Sequence, residues 1–152
     1  VNLDVTAPGA TLALGLMFLR THDAGVAAHV RVPNTHFALD HARPDFILLR
    51  VVAHSLIMWD DIQPTVEWVE GQLPPILRMP PRGAGTGTGD AGDVFAALLD
   101  DEGGGGAIPP GGAVDREALA QAHIHALAGG CMALGLRFAG SADATAAATL
   151  RE

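Results

Sequence analysis

The sequence predicts an all-α fold, an α-solenoid of stacked helix pairs, and three observations carry that prediction. A glycine-rich apolar phrase, "GATLALGLMFLR" at Gly9–Arg20, returns near the other end as "GGCMALGLRFAG" at Gly129–Gly140. Gly9, Ala13, Leu14, Gly15, Leu16, Phe18 and Asp23 recur at Gly129, Ala133, Leu134, Gly135, Leu136, Phe138 and Asp143, with a gapless displacement of 120 residues. Self-similarity of this kind marks stacked supersecondary units, none of which buries its apolar face alone. Helix start signals are the second observation: Thr6 before Pro8, Asn34 and Thr35, Pro44, and Asp115 ahead of Glu117. The third is a run, "PDFILLRVVAHSLIMWD", that is apolar nearly all round, as a helix buried on most sides must be.

Taken in order, the first block spans residues 1–78 and reads as short helices. Thr6 serves as N-cap and Pro8 falls in the first turn, where its missing N–H costs nothing; the apolar residues then continue to Leu19. After "HDAG" comes a small helix, Val26 to Val30, ended by Pro33, and Asn34 or Thr35 caps a further segment from His36 to Ala42. Pro44 opens the long apolar helix, whose interior polar stripe is Arg50 with His54, four residues apart. A polar stripe on a buried helix needs partners. Pro64 ends this helix, and "TVEWVEGQ" adds a turn or two. Residues 79–114 form a Gly/Pro-rich low-complexity insert in which only "DVFAALLD" suits a short helix, and linker composition predicts that most of it moves.

The second block, residues 115–152, starts with Asp115 as N-cap and Glu117 in the acid-favouring first turn, then keeps helical spacing across Gly129 and Gly130. Each glycine inside a helix costs about 0.8–1 kcal/mol relative to alanine. Close approach of a neighbouring helix offsets that cost. Gly9, Gly15, Gly129, Gly130 and Gly135 are therefore the expected repeat contacts.

Composition excludes several function classes. With 152 residues and 49% hydrophobic content, the chain has enough apolar side chains for a core, and its length suits one domain. Its nine basic residues are all arginine, against seventeen acids and a net charge of −8, which argues against a nucleic-acid surface. A lone cysteine, Cys131, makes no internal disulfide, so a reducing compartment is expected. The start, "VNLDVTAP", lacks an initiator methionine and a basic leader, and reads as the middle of a longer protein. The longest apolar stretches, Ala7–Leu19 and Ile124–Leu136, contain Pro8 or paired glycines and fall short of the ~18–20 residues of a bilayer span, so no membrane is expected.

Neither copy of the glycine phrase ends in Gly-Lys-Ser/Thr or follows a strand-like run, and "GTGTGDAG", Gly85–Gly92, lies in low-complexity text, so no nucleotide site is assigned. His36, Asp40 and His41 cluster on one short segment, but there is no HExxH, and such residues are more simply solvated or locally hydrogen-bonded. Asp60 and Asp61 are adjacent and diverge by about 100° on a helix, so they form no paired-carboxylate site; Trp59 belongs to the core. His123 and His125 likewise diverge, with His125 expected against a neighbouring helix, and Cys131 reads as a small buried residue. No catalytic, cofactor-binding or metal-binding residue is assigned.

Three stretches then carry a resemblance: "VNLDVTAPGATLALGLMFLRT", "RVPNTHFALDHARPDFILLRVVAHSLIMWDDIQP" and "LAQAHIHALAGGCMALGLRFAGS". In this order they resemble the proteasome/cyclosome (PC) repeat region of the largest scaffold subunit of the anaphase-promoting complex, most specifically in "DVTAPGA", "RPDF", "LIMWDDI" and "LGLRFAGS". Asn34 stands where that pattern has an acid, and His36 and Ala38 where it has larger apolar or aromatic residues; the insert shares nothing with it. The resemblance implies PC-type helix-pair repeats forming part of a closed toroid, with Arg50 and His54 lining its interior or binding a carboxylate of an adjacent repeat. It implies a non-catalytic scaffold segment, nuclear and cytoplasmic, in a multi-subunit ubiquitin ligase that marks mitotic regulators for degradation. Its partners would be other subunits of that complex and neighbouring repeats of the same full-length chain, and it would need no cofactor. Without lysine, the segment offers no side-chain acceptor for ubiquitin. Two rivals stand beside it. One is a PC-repeat scaffold subunit of the proteasome regulatory particle; the other is a small metal-dependent hydrolase built on His36, Asp40 and His54.

Overall fold

The computed structural model describes residues 3–35, 38–39, 42–78 and 116–152. The expected insert, the Asp115 cap and the His36, Asp40 and His41 cluster lie outside the described residues. Among the described residues the main helices are α1 Leu3–Met17, α2 Ala24–Val30, α3 Pro44–Ile57, α4 Val66–Gly71, α5 Arg116–Arg137 and α6 Ala144–Thr149. Short 3-10 turns fall at Trp59–Asp61 and Pro75–Leu77, and there is no strand among the described residues.

Local chemistry sets most of the helix starts. The Asp23 carboxylate accepts the Val26 N–H at 3.0 Å and opens α2, and Thr65 Oγ1 accepts the Trp68 N–H at 3.2 Å and opens α4. Thr35 does the same for the short segment after it, accepting the Ala38 N–H at 3.3 Å, whereas Asn34 Oδ1 accepts the Ile76 N–H across the fold. α3 has Pro44 in its first turn. α1 differs from expectation: it begins at Leu3, so Thr6 is inside the helix and Pro8 lies past the first turn. Proline there removes one rung of the helical ladder, a loss confined to the first half of the helix.

α3 is the centre of the molecule, packed against α1, α2 and α5, while α5 also packs on α4. Ile47, Ala53 and Ile57 of α3 are fully enclosed, which is why this helix is apolar nearly all round. One cluster joins Ile47 and Val51 to Ala122 and Ala126 of α5 and to Leu73 and Leu77; another joins Ala53 and Ile57 to Ala27 and Val30 of α2. A third packs Val69 of α4 and Ile62 on Ala133 and Leu134 of α5. Each fully buried leucine or isoleucine contributes about 1.5–3 kcal/mol.

The 120-residue echo in the sequence is also an echo in hydrogen bonding. After α1, Thr21 Oγ1 donates to the Phe18 carbonyl at 2.8 Å and accepts from the Asp23 N–H at 3.4 Å. After α5, Ser141 Oγ donates to the Phe138 carbonyl at 2.7 Å and accepts from the Asp143 N–H at 3.1 Å. Asp143 then caps α6 through the Ala146 N–H at 2.8 Å, as Asp23 caps α2. Even the left-handed backbone positions coincide, Arg20 (φ 61°) with Gly140 (φ 73°) and His22 (φ 53°) with Ala142 (φ 54°). α1–α2 and α5–α6 are two copies of one helix–turn–helix unit.

Candidate functional site

The five glycines divide into those that touch a helix and those that do not. A Cβ on Gly15 of α1 would sit 2.8 Å from Ala53 Cα, and one on Gly129 of α5 would sit 2.8 Å from both the Leu48 carbonyl oxygen and Val51 Cβ. Residues 51 and 53 lie about 200° apart around a helix of 3.6 residues per turn. α1 and α5 therefore clasp opposite faces of α3. Gly130 faces α4, where a Cβ would sit 3.1 Å from Val69 Cγ1. Gly9 and Gly135, in contrast, are exposed and have nothing within 4 Å, so neither is a helix contact among the described residues. The reason is positional. Gly9 is the counterpart of Gly129, which faces the helix before it in the row, and Gly135 is the counterpart of Gly15, which faces the helix after it.

α5 passes the length and hydropathy test for a membrane span over Glu117–Arg137, unlike the interrupted stretches read from sequence. About 33% of that stretch is buried in the fold, with Gly129 and Gly130 set against α3 and α4.

Sequence reasoning missed the role of Asp60. Its carboxylate takes Arg20 at 3.1 Å, His22 at 3.4 Å and Arg137 at 3.9 Å, tying the turn after α1 to the end of α5. Slight desolvation pushes the Asp60 pKa up, but the His22 hydrogen bond and the charge and hydrogen bond of Arg20 outweigh it and hold the carboxyl below its ordinary value. Arg137 also lies over the Trp59 ring, 5.6 Å from its centroid, and over Phe138 at 5.9 Å. The adjacency of Asp60 and Asp61 hid this, because a 3-10 turn aims Asp60 at residues forty and seventy-odd positions away in sequence.

Arg50 and His54 are half-buried rather than enclosed, and they form one wall of a cleft of about 300 Å³. Among the described residues the partners of Arg50 are carbonyls: its Nη1 donates to His29 O at 3.2 Å and Arg31 O at 2.9 Å, closing the C-terminal end of α2. Burial, then the charge of Arg31, hold the His54 imidazole below its ordinary pKa, with Asp61 opposing. His125, expected against a neighbouring helix, pairs within its own, Nδ1 to Gln121 O at 2.8 Å, while His123 reaches across to Leu77 O at 3.0 Å. Cys131 is half-buried. No group of three metal-ligating side chains gathers among the described residues.

The outer faces of the row are apolar. Leu16 and Met17 on α1 are 56% and 78% exposed, and Met132 and Leu136 on α5 are 50% and 42% exposed. Leu16 and Leu136 are counterparts in the two units.

Comparison with known proteins covers the whole chain. The family model described as APC1 fifth domain matches residues 1–152. Anaphase-promoting complex subunit 1 of Arabidopsis thaliana is 40% identical over 145 residues, 95% of this chain and 7% of that protein. The mouse (Mus musculus) protein of the same name is 38% identical over 152 residues, 100% of this chain and 7% of its own length. The human (Homo sapiens) one is 38% identical over 146 residues, 96% of this chain and 6% of its own. The chain thus spans a small fraction of the length of the curated relatives it matches.

Proposed function

This chain belongs to the APC1 fifth-domain family, and from that premise we propose that it is a non-catalytic scaffold segment of the anaphase-promoting complex, working by helix-repeat packing and subunit binding. In this reading α1–α2 and α5–α6 are PC-type repeats of an α-solenoid, cut from a toroid and continued on both sides by the full-length chain. Its place is inside the cell, in nucleus and cytoplasm, with Cys131 reduced, and ubiquitin transfer belongs to other subunits. Family membership favours neither the proteasome particle nor a metal-dependent hydrolase.

One observation carries the reading. In the first turn the Arg20 N–H donates to Leu56 O at 3.0 Å and the His22 N–H to Ile57 O at 3.2 Å, so the turn caps the last carbonyls of α3. In the second turn the matching N–H groups, on Gly140 and Ala142, have no partner among the described residues. Beside them Gly135 is open where its counterpart Gly15 meets Ala53. A helix with the end geometry of α3, laid against α5, satisfies all three positions at once. In this reading the open end of the row is a surface for another unit of the same kind.

Tagged full-length protein carrying Met132→Glu with Leu136→Glu tests this. The unsubstituted protein is expected to co-purify with other subunits of the complex, and the double variant to lose them or to fall out of solution. Full retention of the subunits by a stable double variant would contradict the reading, as would ubiquitin transfer by the purified subunit alone.

A further inference from the structure

The cleft beside Arg50 and His54 has a charge pattern that helix stacking does not require. It opens between the end of α2, the middle of α3 and the loop after α4, and its charged side chains are Arg31, Arg50 and Arg78. Among the described residues no aspartate or glutamate lines it, although acids outnumber arginines seventeen to nine in the chain; Glu67 and Glu70 line the neighbouring hollow on the other side of Arg78. Outside the cleft, Arg20 and Arg137 pair with Asp60 and Arg43 with Asp45, while Arg151 at the chain's far end has no carboxylate partner among the described residues. The three in the cleft have no carboxylate partner among the described residues.

Two of the three guanidiniums are already positioned by backbone. Arg50 is held by the His29 and Arg31 carbonyls, and Arg78 by Leu73 O at 3.1 Å from Nε and Gly71 O at 3.4 Å from Nη2. A guanidinium has five N–H donors, so each keeps donors for a ligand after these bonds are made. Fixing them beforehand lowers the ordering cost of binding. Arg31, exposed at the rim, makes no hydrogen bond through its side chain among the described residues. His54 faces the same space and adds a ring nitrogen. Val51, Leu73, Pro74 and Pro75 supply apolar wall, and about 300 Å³ is room for a side chain with its flanking residue.

We propose that this cleft binds a phosphate monoester carried on a partner polypeptide, a phosphoserine or phosphothreonine seated among Arg31, Arg50 and Arg78 with its neighbouring side chain against the apolar wall. Three arginines lining one cleft match a group of charge about −1.5 to −2 with three acceptor oxygens better than a single carboxylate of charge −1. The scaffold reading does not depend on this site, and the site does not depend on it.

The test uses full-length protein and three fluorescent peptide libraries with randomised flanks, identical except for a fixed central phosphoserine, serine or glutamate. The phosphoserine library is expected to bind at least about tenfold more tightly than either other library, as charge-assisted bidentate bonds to a dianion allow. Arg31→Gln, which removes a side chain without a protein hydrogen bond, is expected to weaken that binding about tenfold or more while leaving the circular dichroism spectrum and subunit co-purification unchanged. Arg78→Gln should weaken it further. Equal binding of the glutamate and phosphoserine libraries, binding that survives both substitutions, or no binding of the phosphoserine library each overturns the proposal.

Discussion

At Gly15 and Gly129 an added methyl group would meet backbone atoms of α3 at 2.8 Å, and backbone cannot rotate aside. Gly15→Ala and Gly129→Ala are therefore expected to destabilise the chain by about 1–3 kcal/mol through overpacking. Gly130→Ala should cost less, because its neighbour at 3.1 Å is a valine methyl that can yield. Gly135→Ala in the isolated chain should instead stabilise by about 0.5–1 kcal/mol, the usual gain on replacing a helical glycine with open space around it. Urea unfolding of the four variants checks the order, and equal effects at Gly15 and Gly135 would contradict it. His54 sets a pH dependence. Because its folded pKa is depressed, the unfolded chain binds more protons, so stability is complete above the ordinary value of 6.5 and falls as pH drops below it. Asp60, also depressed, loses its contribution in a separate window, as pH falls below 3.8. Replacing His54 by Gln should flatten the stability curve in the upper window only, as read by urea midpoints across pH.

At the scale of elements, the caps carry the repeat. Asp23→Ala and Asp143→Ala remove equivalent bonds at 3.0 and 2.8 Å, and each is expected to cost about 0.5–2 kcal/mol; urea unfolding should find the two losses similar. Much of this level was legible in the sequence. Pro44 marks the start of α3, and Asp23 with Asp143 mark the second helix of each copy of the unit; the end of α3, which the sequence places at Pro64, falls at Ile57, where a 3-10 turn at Trp59–Asp61 takes over. α6 itself went unread because six residues, "ATAAAT", have too little apolar pattern to announce a helix, and only the echo of Asp23 at Asp143 pointed to it. Pro8 has the look of a first-turn residue, and sequence cannot show that the turn before it is already wound, so the helical residues from Leu3 onward are not legible. The arginine cleft was half legible. Arg50 and His54 stood out as a stripe on an apolar helix, but Arg31 and Arg78 reach it only through the packing of α2 and the loop after α4, which no local pattern encodes. The glycine contacts show the same division: their type was readable from helix propensity, but their direction required knowing which side of α3 each helix occupies.

For the whole molecule, the row α1–α3–α5 is finished in the middle and open at both ends. Leu16 and Met17 on one side and Met132 and Leu136 on the other leave apolar surface without cover among the described residues. The isolated chain is expected to self-associate or to be marginally stable, seen as a concentration-dependent mass in analytical ultracentrifugation; a sharp, concentration-independent monomeric unfolding transition would count against it. The central claim is that the second turn does for a following helix what the first turn does for α3. Amide hydrogen exchange of the full-length protein, resolved to residues 18–23 and 138–143, tests it with the first turn as internal reference. The account predicts that Gly140 and Ala142 are protected to the same degree as Arg20 and His22. Exchange of Gly140 and Ala142 at the rate of free amides, while Arg20 and His22 stay protected, would contradict it.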